Sequence, residues 1–161
     1  MNELENGEYI IREYVKKQTA LNNVGVTTLL AKMISSLFSD VSIGGLPDLA
    51  LELCTEMMNG GNAQVASTLY EYLVEKDTDL KFLEHLHSRL FTGHASIKEA
   101  KRGGSFGGGD GVSDEFVDSC RSIITTTRFI QLCCEGHNFK FQEFMRHQPM
   151  LDGNVDLLSK V

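Results

Sequence analysis

Apolar residues recur at intervals of three and four positions in seven separate stretches of the chain. The clearest stretch carries Val26, Leu29, Leu30, Met33, Ile34 and Leu37. This spacing places apolar side chains on one face of an α-helix. No stretch alternates strictly between apolar and polar residues, as a half-buried strand does. The pattern therefore predicts an all-α protein.

Each predicted helix carries an apolar stripe for burial against a neighbour. Three of these stripes are Ile10, Ile11, Tyr14 and Val15 in the first helix; Leu46, Leu49, Ala50, Leu53 and Met57 in the third; and Phe116, Cys120, Ile123, Ile124, Thr127, Ile130 and Cys134 in the sixth. The helices are short and the turns brief, which favours antiparallel pairs stacked side by side. The sequence therefore predicts an armadillo/HEAT-like α-solenoid segment, although it shows no regular repeat.

Turn and cap residues mark several helix boundaries. Pro47 suits the first turn of the third helix, where its missing N–H costs no hydrogen bond. Gly60 and Gly61 are predicted to end that helix, and Asn62 to cap the fourth. Thr78 is the predicted N-cap of the fifth helix.

Residues 101–112 interrupt the helical pattern and read KRGGSFGGGDGV. Glycine at this density loses much conformational entropy when it is ordered, so we expect a disordered loop. A phosphate-binding loop is disfavoured because no strand precedes the glycines and no Gly-Lys-Ser/Thr follows them. The loop separates predicted solenoid helices over residues 1–100 from a second helical region over residues 113–161.

Composition and charge limit the classes of function. The chain has 161 residues with 42% hydrophobic content, which is ordinary for one folded domain. Its net charge of −7 argues against nucleic acid and anionic membranes as partners, since both require a basic surface. The chain lacks a run of about 18 apolar residues and starts unlike a signal peptide. We expect it to be soluble alone, and its last helical pattern stops part-way, as in a fragment.

The stretch CCEGHNFKFQ, residues 133–142, joins the sixth predicted helix to the seventh. Gly136 suits the residue after a helix, where positive φ is common, and Asn138 suits the next N-cap. Glu135 breaks a local rule, because an acid in the last turn faces the negative end of the helix dipole. Such an exception marks either a functional residue or a solvated surface acid.

Cysteine and histidine residues show no catalytic or zinc-binding spacing. Cys54, Cys120, Cys133 and Cys134 lie in apolar patterns without a CxxC pair, so we expect buried free thiols in a reducing compartment. Redox-sensitive thiols are the alternative for Cys133 and Cys134. His85 and His87 are predicted to be surface or satisfied interior groups, and no base is placed beside a nucleophile. We therefore expect no enzymatic activity.

Three motifs resemble one known family. Residues 129–146 read FIQLCCEGHNFKFQEFMR and resemble the start of the RIH-associated region of intracellular calcium-release channels. Residues 58–65, MNGGNAQV, resemble a helix turn of the same channels, and residues 81–90, KFLEHLHSRL, add a third similarity. These channels are the ryanodine and inositol trisphosphate receptors. Gly136 is closer to the ryanodine receptors, since the inositol trisphosphate receptors usually carry Asn there.

The resemblance implies a role in a much larger protein. Such channels are homotetramers in the endoplasmic or sarcoplasmic reticulum membrane, and this region belongs to the cytosolic core solenoid that relays regulation to the pore. The implied partners are therefore the rest of the channel chain and its neighbouring subunits. The competing hypothesis is a free-standing helical-repeat adaptor that binds another protein, and an enzyme is a third, weaker class.

The resemblance also implies a calcium site. In the family, the Glu that matches Glu135 is a ligand of the activating calcium, and the His that matches His137 supports the site from close by. Free carbonyls at the helix end would add oxygen ligands. Calcium takes about six to eight oxygens, and the family draws the remaining ligands from later regions that this chain lacks. Glu135 is therefore expected to form a calcium half-site.

Overall fold

The computed structural model describes residues 3–37, 45–102, 114–136, 138–148, 155 and 157, with side chains from residue 9 onward. These residues form seven α-helices: α1 Glu3–Asn23, α2 Val26–Leu37, α3 Leu46–Met58, α4 Ala63–Glu75, α5 Lys81–Arg102, α6 Asp114–Cys134 and α7 Phe139–Arg146. Within the described ranges no strand is present. The predicted all-α class is confirmed.

The helices pack in pairs around one apolar core. The most extensive pairs are α5 with α6 and α2 with α3, and α3 also packs along α6. Buried residues of α2 to α7 form a single cluster, with the rings of Phe82 and Phe129 5.6 Å apart. Paired helices that share one core are consistent with the predicted solenoid-like fold.

Several predicted helix ends are confirmed. Pro47 lies in the first turn of α3, and the Asn62 side chain accepts from the N–H groups that open α4. Gly60 and Gly61 have φ of +82° and +77°, values that glycine adopts without the steric cost of a Cβ.

Thr78 was the wrong cap for α5. The carboxylate of Asp77 accepts from the N–H of Phe82 at 2.9 Å and so satisfies the start of the helix. A carboxylate suits this end because the exposed N–H groups carry partial positive charge. Leu80, buried immediately before α5, takes a φ of +58°.

Three predicted stripes were only partly right: Ala50 and Met57 of α3 and Ile130 of α6 are buried as predicted, but other members are exposed. The exposed apolar residues include Ile10, Ile11 and Tyr14 of α1, Leu46, Leu49 and Leu53 of α3, and Ile124 of α6. Instead, α3 buries Leu51, Cys54 and Met58, and α6 buries Thr126, Phe129 and Cys133. Both helices carry apolar residues on more than one face, so spacing alone did not select the face that meets the core.

The predicted Gly-rich loop lies almost entirely outside the described residues. Its first two residues, Lys101 and Arg102, form the last turn of α5. The division into regions 1–100, 101–112 and 113–161 stays a prediction.

Candidate functional site

The turn between α6 and α7 holds the predicted calcium ligand. The helix α6 ends at Cys134, and Gly136 takes a φ of +67° as predicted for the residue after a helix. The Asn138 side chain accepts from the N–H of Phe141 at 3.3 Å, which confirms it as the N-cap of α7. Glu135 therefore lies between two well-defined helix ends.

Backbone carbonyls of this turn already have protein partners. The carbonyl of Cys134 accepts from the side chain of Gln142 at 2.7 Å. The carbonyls of Leu132 and Glu135 accept from the N–H groups of Glu135 and Asn138, at 3.3 and 3.4 Å. The expected set of free carbonyls is therefore not found at these three residues. A cation here would rely mainly on the Glu135 carboxylate.

The Glu135 carboxylate is bound by an arginine. Arg128 Nη1 lies 3.2 Å from Glu135 Oε1, and both side chains are 41% exposed. Arg128 precedes Glu135 by seven residues, which is about two helical turns, so Arg128 lies on the face of α6 above which Glu135 leaves the helix. Arg128 Nη2 donates to Asn59 Oδ1, also at 3.2 Å. One guanidinium thus joins the α6–α7 turn to the α3–α4 turn.

The α3–α4 turn is anchored to α1 by a buried amide. Asn62 donates to the carbonyl of Val15 at 3.2 Å and to Thr19 Oγ1 at 3.1 Å, while it caps α4. Gln18 donates to the backbone carbonyl of Asn59 at 2.7 Å. The segment 58–65 therefore positions Asn59 firmly beside Arg128.

A groove of about 680 Å³ lies between the two turns. Gly60 and Gly61 line it from the α3–α4 turn, and Glu135 and Gly136 line it from the α6–α7 turn. On α4, Glu71 accepts from Ser67 Oγ at 3.1 Å beside the groove. The exposed carboxylate of Glu135 therefore faces space that another segment of protein or a hydrated cation can enter.

The described residues do not form a complete metal site. They contain no group of three or more His, Cys, Asp or Glu side chains placed to hold an ion. His137, the predicted supporting residue, lies outside the described residues. A single carboxylate falls well short of the six to eight oxygens that calcium takes.

The four cysteines are free thiols in two different settings. Cys54 and Cys133 are fully buried, and burial raises the pKa of Cys54 to about 12 and that of Cys133 well above its ordinary value. Cys120 and Cys134 are only half-buried. The prediction of burial is therefore confirmed for one pair and wrong for the other.

Side chains of α3, α5 and α6 form a polar network that was not predicted from the sequence. The Arg89 guanidinium pairs with Asp48, and its Nε donates to Thr126 Oγ1 at 3.0 Å. His85 is buried nearby, with Nε2 3.9 Å from Asp48 Oδ1. Burial lowers the pKa of His85 to about 4, so it is a neutral interior group at neutral pH. His85 and Arg89 lie one helical turn apart; of the surface and interior settings predicted for His85 the structure shows the interior one, whereas Arg89 was not singled out from the sequence.

Comparison with known families identifies the C-terminal part of the chain. Residues 118–161 match the model of the family described as RyR and IP3R Homology associated. This segment, about a quarter of the chain, is similar to the RyR and IP3R Homology associated family. The resemblance seen in the sequence is thereby confirmed. Arg128 and Glu135 lie inside the RyR and IP3R Homology associated segment, whereas Asn59 lies outside it.

The matched residues 118–161 are similar to a segment of the RyR and IP3R proteins. Proteins of the RyR and IP3R family are channels rather than enzymes. In the part of the chain that the structure describes, no helix is both long enough and apolar enough to cross a membrane.

Proposed function

We propose that the chain is part of the cytosolic regulatory solenoid of an intracellular calcium-release channel of the ryanodine-receptor type. The family match over residues 118–161 carries this proposal. The all-helical architecture supports it, because α-solenoids transmit small shifts through stacked helices. In this role the chain works within a homotetramer at the cytosolic face of the endoplasmic or sarcoplasmic reticulum, and it catalyses no reaction.

Glu135 supplies one carboxylate of the activating calcium site, with His137 in support. The exposed position of Glu135 beside the groove and its place inside the matched segment favour this role. The remaining oxygen ligands come from other parts of the channel, since one carboxylate is too few for calcium. A bound calcium would join the Glu135 carboxylate to those parts of the channel.

The decisive experiment is single-channel recording of the full channel with Glu135→Gln. Loss of one ligand charge shifts calcium activation to higher calcium concentrations. The matched control is Glu143→Gln, an exposed acid on α7 that lies outside the groove lining. If Glu135→Gln leaves the calcium response where Glu143→Gln leaves it, Glu135 is not a ligand.

The isolated chain offers a second measurement. With only part of the ligand set present, it binds calcium no more tightly than about the millimolar range, the weak end for protein calcium sites. Isothermal calorimetry that finds a micromolar site abolished by Glu135→Gln would show that the chain carries a complete site.

A free-standing helical adaptor is the second candidate function. Leu49 and Leu53 of α3 and Ile124 of α6 line an open groove of about 510 Å³, and Leu49 and Ile124 are 61% and 68% exposed. Apolar surface of this kind suits a protein partner. Sequencing of the full transcript separates the two functions: continuation into membrane-spanning helices establishes the channel, and a stop codon directly after Val161 favours the adaptor.

A further inference from the structure

The first half of α1 carries apolar side chains that are exposed to solvent. Ile10 and Ile11 are 59% and 55% exposed, and all four residues from 9 to 12 are exposed. The second half of α1 is held against α3, where Gln18 donates to the backbone carbonyl of Glu56 at 2.8 Å. A short helix is only marginally stable in water without tertiary contacts. The exposed half of α1 therefore gains stability when another surface covers it.

The open groove of about 510 Å³ between α3 and α6, here called the α3–α6 groove, also exposes apolar side chains. Leu49, Leu53 and Ile124 line it, and all three are exposed. Glu52 and Glu56 line the same groove from α3. A groove between two packed helices accepts the apolar face of a third helix. The surface that suits this groove is therefore helical, apolar on one face and basic beside that face.

Charge favours α1 of a second copy as the helix that fills the α3–α6 groove. Residues 9–17 read YIIREYVKK and contain three basic residues and one acidic residue, in a chain of net charge −7. The groove lining has the opposite balance, because Glu52 and Glu56 are acidic and its basic residue, Arg128, already contacts Glu135. Complementary charge of this kind selects the partner surface and its orientation.

The α1 helix does not fill the groove of its own copy. Tyr14 Oη donates to Glu56 Oε2 at 2.8 Å, so α1 meets the edge of the groove. Leu49 and Ile124 stay exposed beyond that edge. A two-fold axis close to Glu56 lets each copy lay the first half of its α1 along the groove of the other. The same contact then forms twice, as in isologous dimers.

We propose that two copies of the chain form a dimer in which the first half of α1 of each copy packs into the α3–α6 groove of the other. Ile10 lies against Leu49 and Ile124, and the basic side chains of α1 lie near Glu52. Two contacts of this size bury a modest area, so the dimer is weak and dissociates in the micromolar range. The inference goes beyond the proposed function and does not depend on the role of Glu135.

The test is sedimentation velocity of the full chain across the micromolar concentration range. The wild-type chain passes from monomer to dimer as its concentration rises. Ile10→Asp in α1 and Ile124→Asp in the groove each place a charge on one of the two surfaces and weaken the dimer by at least about tenfold. Leu29→Asp is the matched control, because Leu29 is 56% exposed on α2 and lies outside both surfaces, and it leaves the dimer unchanged.

A mixture of the two variants identifies which surfaces meet. Ile10→Asp keeps an intact groove and Ile124→Asp keeps an intact α1, so a mixed dimer has one contact in which both surfaces are intact. A fluorescent label on one variant reports the mixed dimer, which forms at a lower concentration than the dimer of either variant alone. Absence of this rescue overturns the proposal.

Other modes of association give different results. If two grooves pack together, Ile10→Asp dimerises like the wild type, and if two α1 helices pack together, Ile124→Asp does so. Either result overturns the proposal, as does a wild-type chain that stays monomeric throughout the concentration range. Both substituted side chains are more than half exposed, so the helical content measured by circular dichroism stays that of the wild type. A weaker dimer then reports the altered surface and not a loss of the fold.

Discussion

The side-chain amide of Asn62 donates to the backbone carbonyl of Val15 at 3.2 Å while its carbonyl oxygen caps α4. Asn62 is 4% exposed, so its amide nitrogen and its amide oxygen both make their hydrogen bonds in the interior. A single residue thereby fixes where α4 begins and how α1 lies against it.

Asn62→Ala is expected to destabilise the fold strongly. It removes an N-cap together with the bonds that the buried amide donates to Val15 and Thr19 of α1, so the free energy of unfolding falls by about 2–3 kcal/mol. Urea unfolding followed by circular dichroism measures this loss. Asn138→Ala is the control, because Asn138 is half-buried and its side chain caps only one N–H, and it costs about 1 kcal/mol. Equal losses for the two variants would contradict the double role of Asn62.

Gly93→Ala is expected to destabilise although alanine favours helices. A Cβ at Gly93 would lie 2.5 Å from Ile123 Cγ1 and 3.2 Å from the Ser119 carbonyl, where α5 and α6 meet. Overpacking of this kind costs about 1–3 kcal/mol, more than the helical gain of about 1 kcal/mol. Thermal unfolding of the wild type and of Gly93→Ala shows whether the substitution lowers the melting temperature, as expected.

The Gly93 prediction has an internal check. Adding Ile123→Ala to Gly93→Ala removes the clashing atoms, so the double variant unfolds at a higher temperature than the sum of the single effects requires. Additive single effects would show that the two helices do not approach as closely as described.

Stability is expected to fall in mild acid because of His85. Burial lowers its folded pKa to about 4, below the ordinary 6.5. The unfolded chain therefore binds the proton first, and folded stability is complete above about pH 6.5 and lost as the pH falls towards 4, by up to about 3 kcal/mol. Asp48 does not reverse this, because Arg89 already engages its carboxylate. Urea unfolding across this range measures the slope, which His85→Gln flattens and His147→Gln, an exposed control, preserves.

Two of the four thiols are expected to react in the folded protein. Cys120 and Cys134 are half-buried, whereas Cys54 and Cys133 are fully buried; burial raises the pKa of Cys134 as well as those of Cys54 and Cys133. The thiolate is the reactive form, so buried thiols react only after unfolding. Titration with a chromogenic disulfide reagent should count two thiols in buffer and four in urea. Cys120→Ser should remove one thiol from the native count, and four reactive thiols in buffer would contradict the described core.

Local signals predicted the helix ends better than the buried faces. Pro47, Asn62, Asn138 and Gly136 act within one turn of their own position, so their chemistry is readable from neighbouring residues. The predicted cap Thr78 failed because Asp77, one residue away, offers a full charge to the helix start.

In the candidate site, too, some residues could be predicted from the sequence and others could not. Glu135 and its turn were visible from the motif, because a helix end and its cap are local features. Arg128 and Asn59 were not, since 69 residues separate the guanidinium from its amide partner. No spacing rule brings such distant residues together.

The sequence by itself determined the helical class, most of the helix ends and the similarity of residues 118–161 to a known family, because each depends on short-range spacing or on a motif. Tertiary structure alone decided which residues of α3 and α6 are buried, which thiols are protected, and that Arg128 contacts Asn59. These outcomes depend on how helices meet across long stretches of chain. An amphipathic pattern predicts that one face of a helix is buried. Which neighbouring helix covers that face depends on the packing of the whole core.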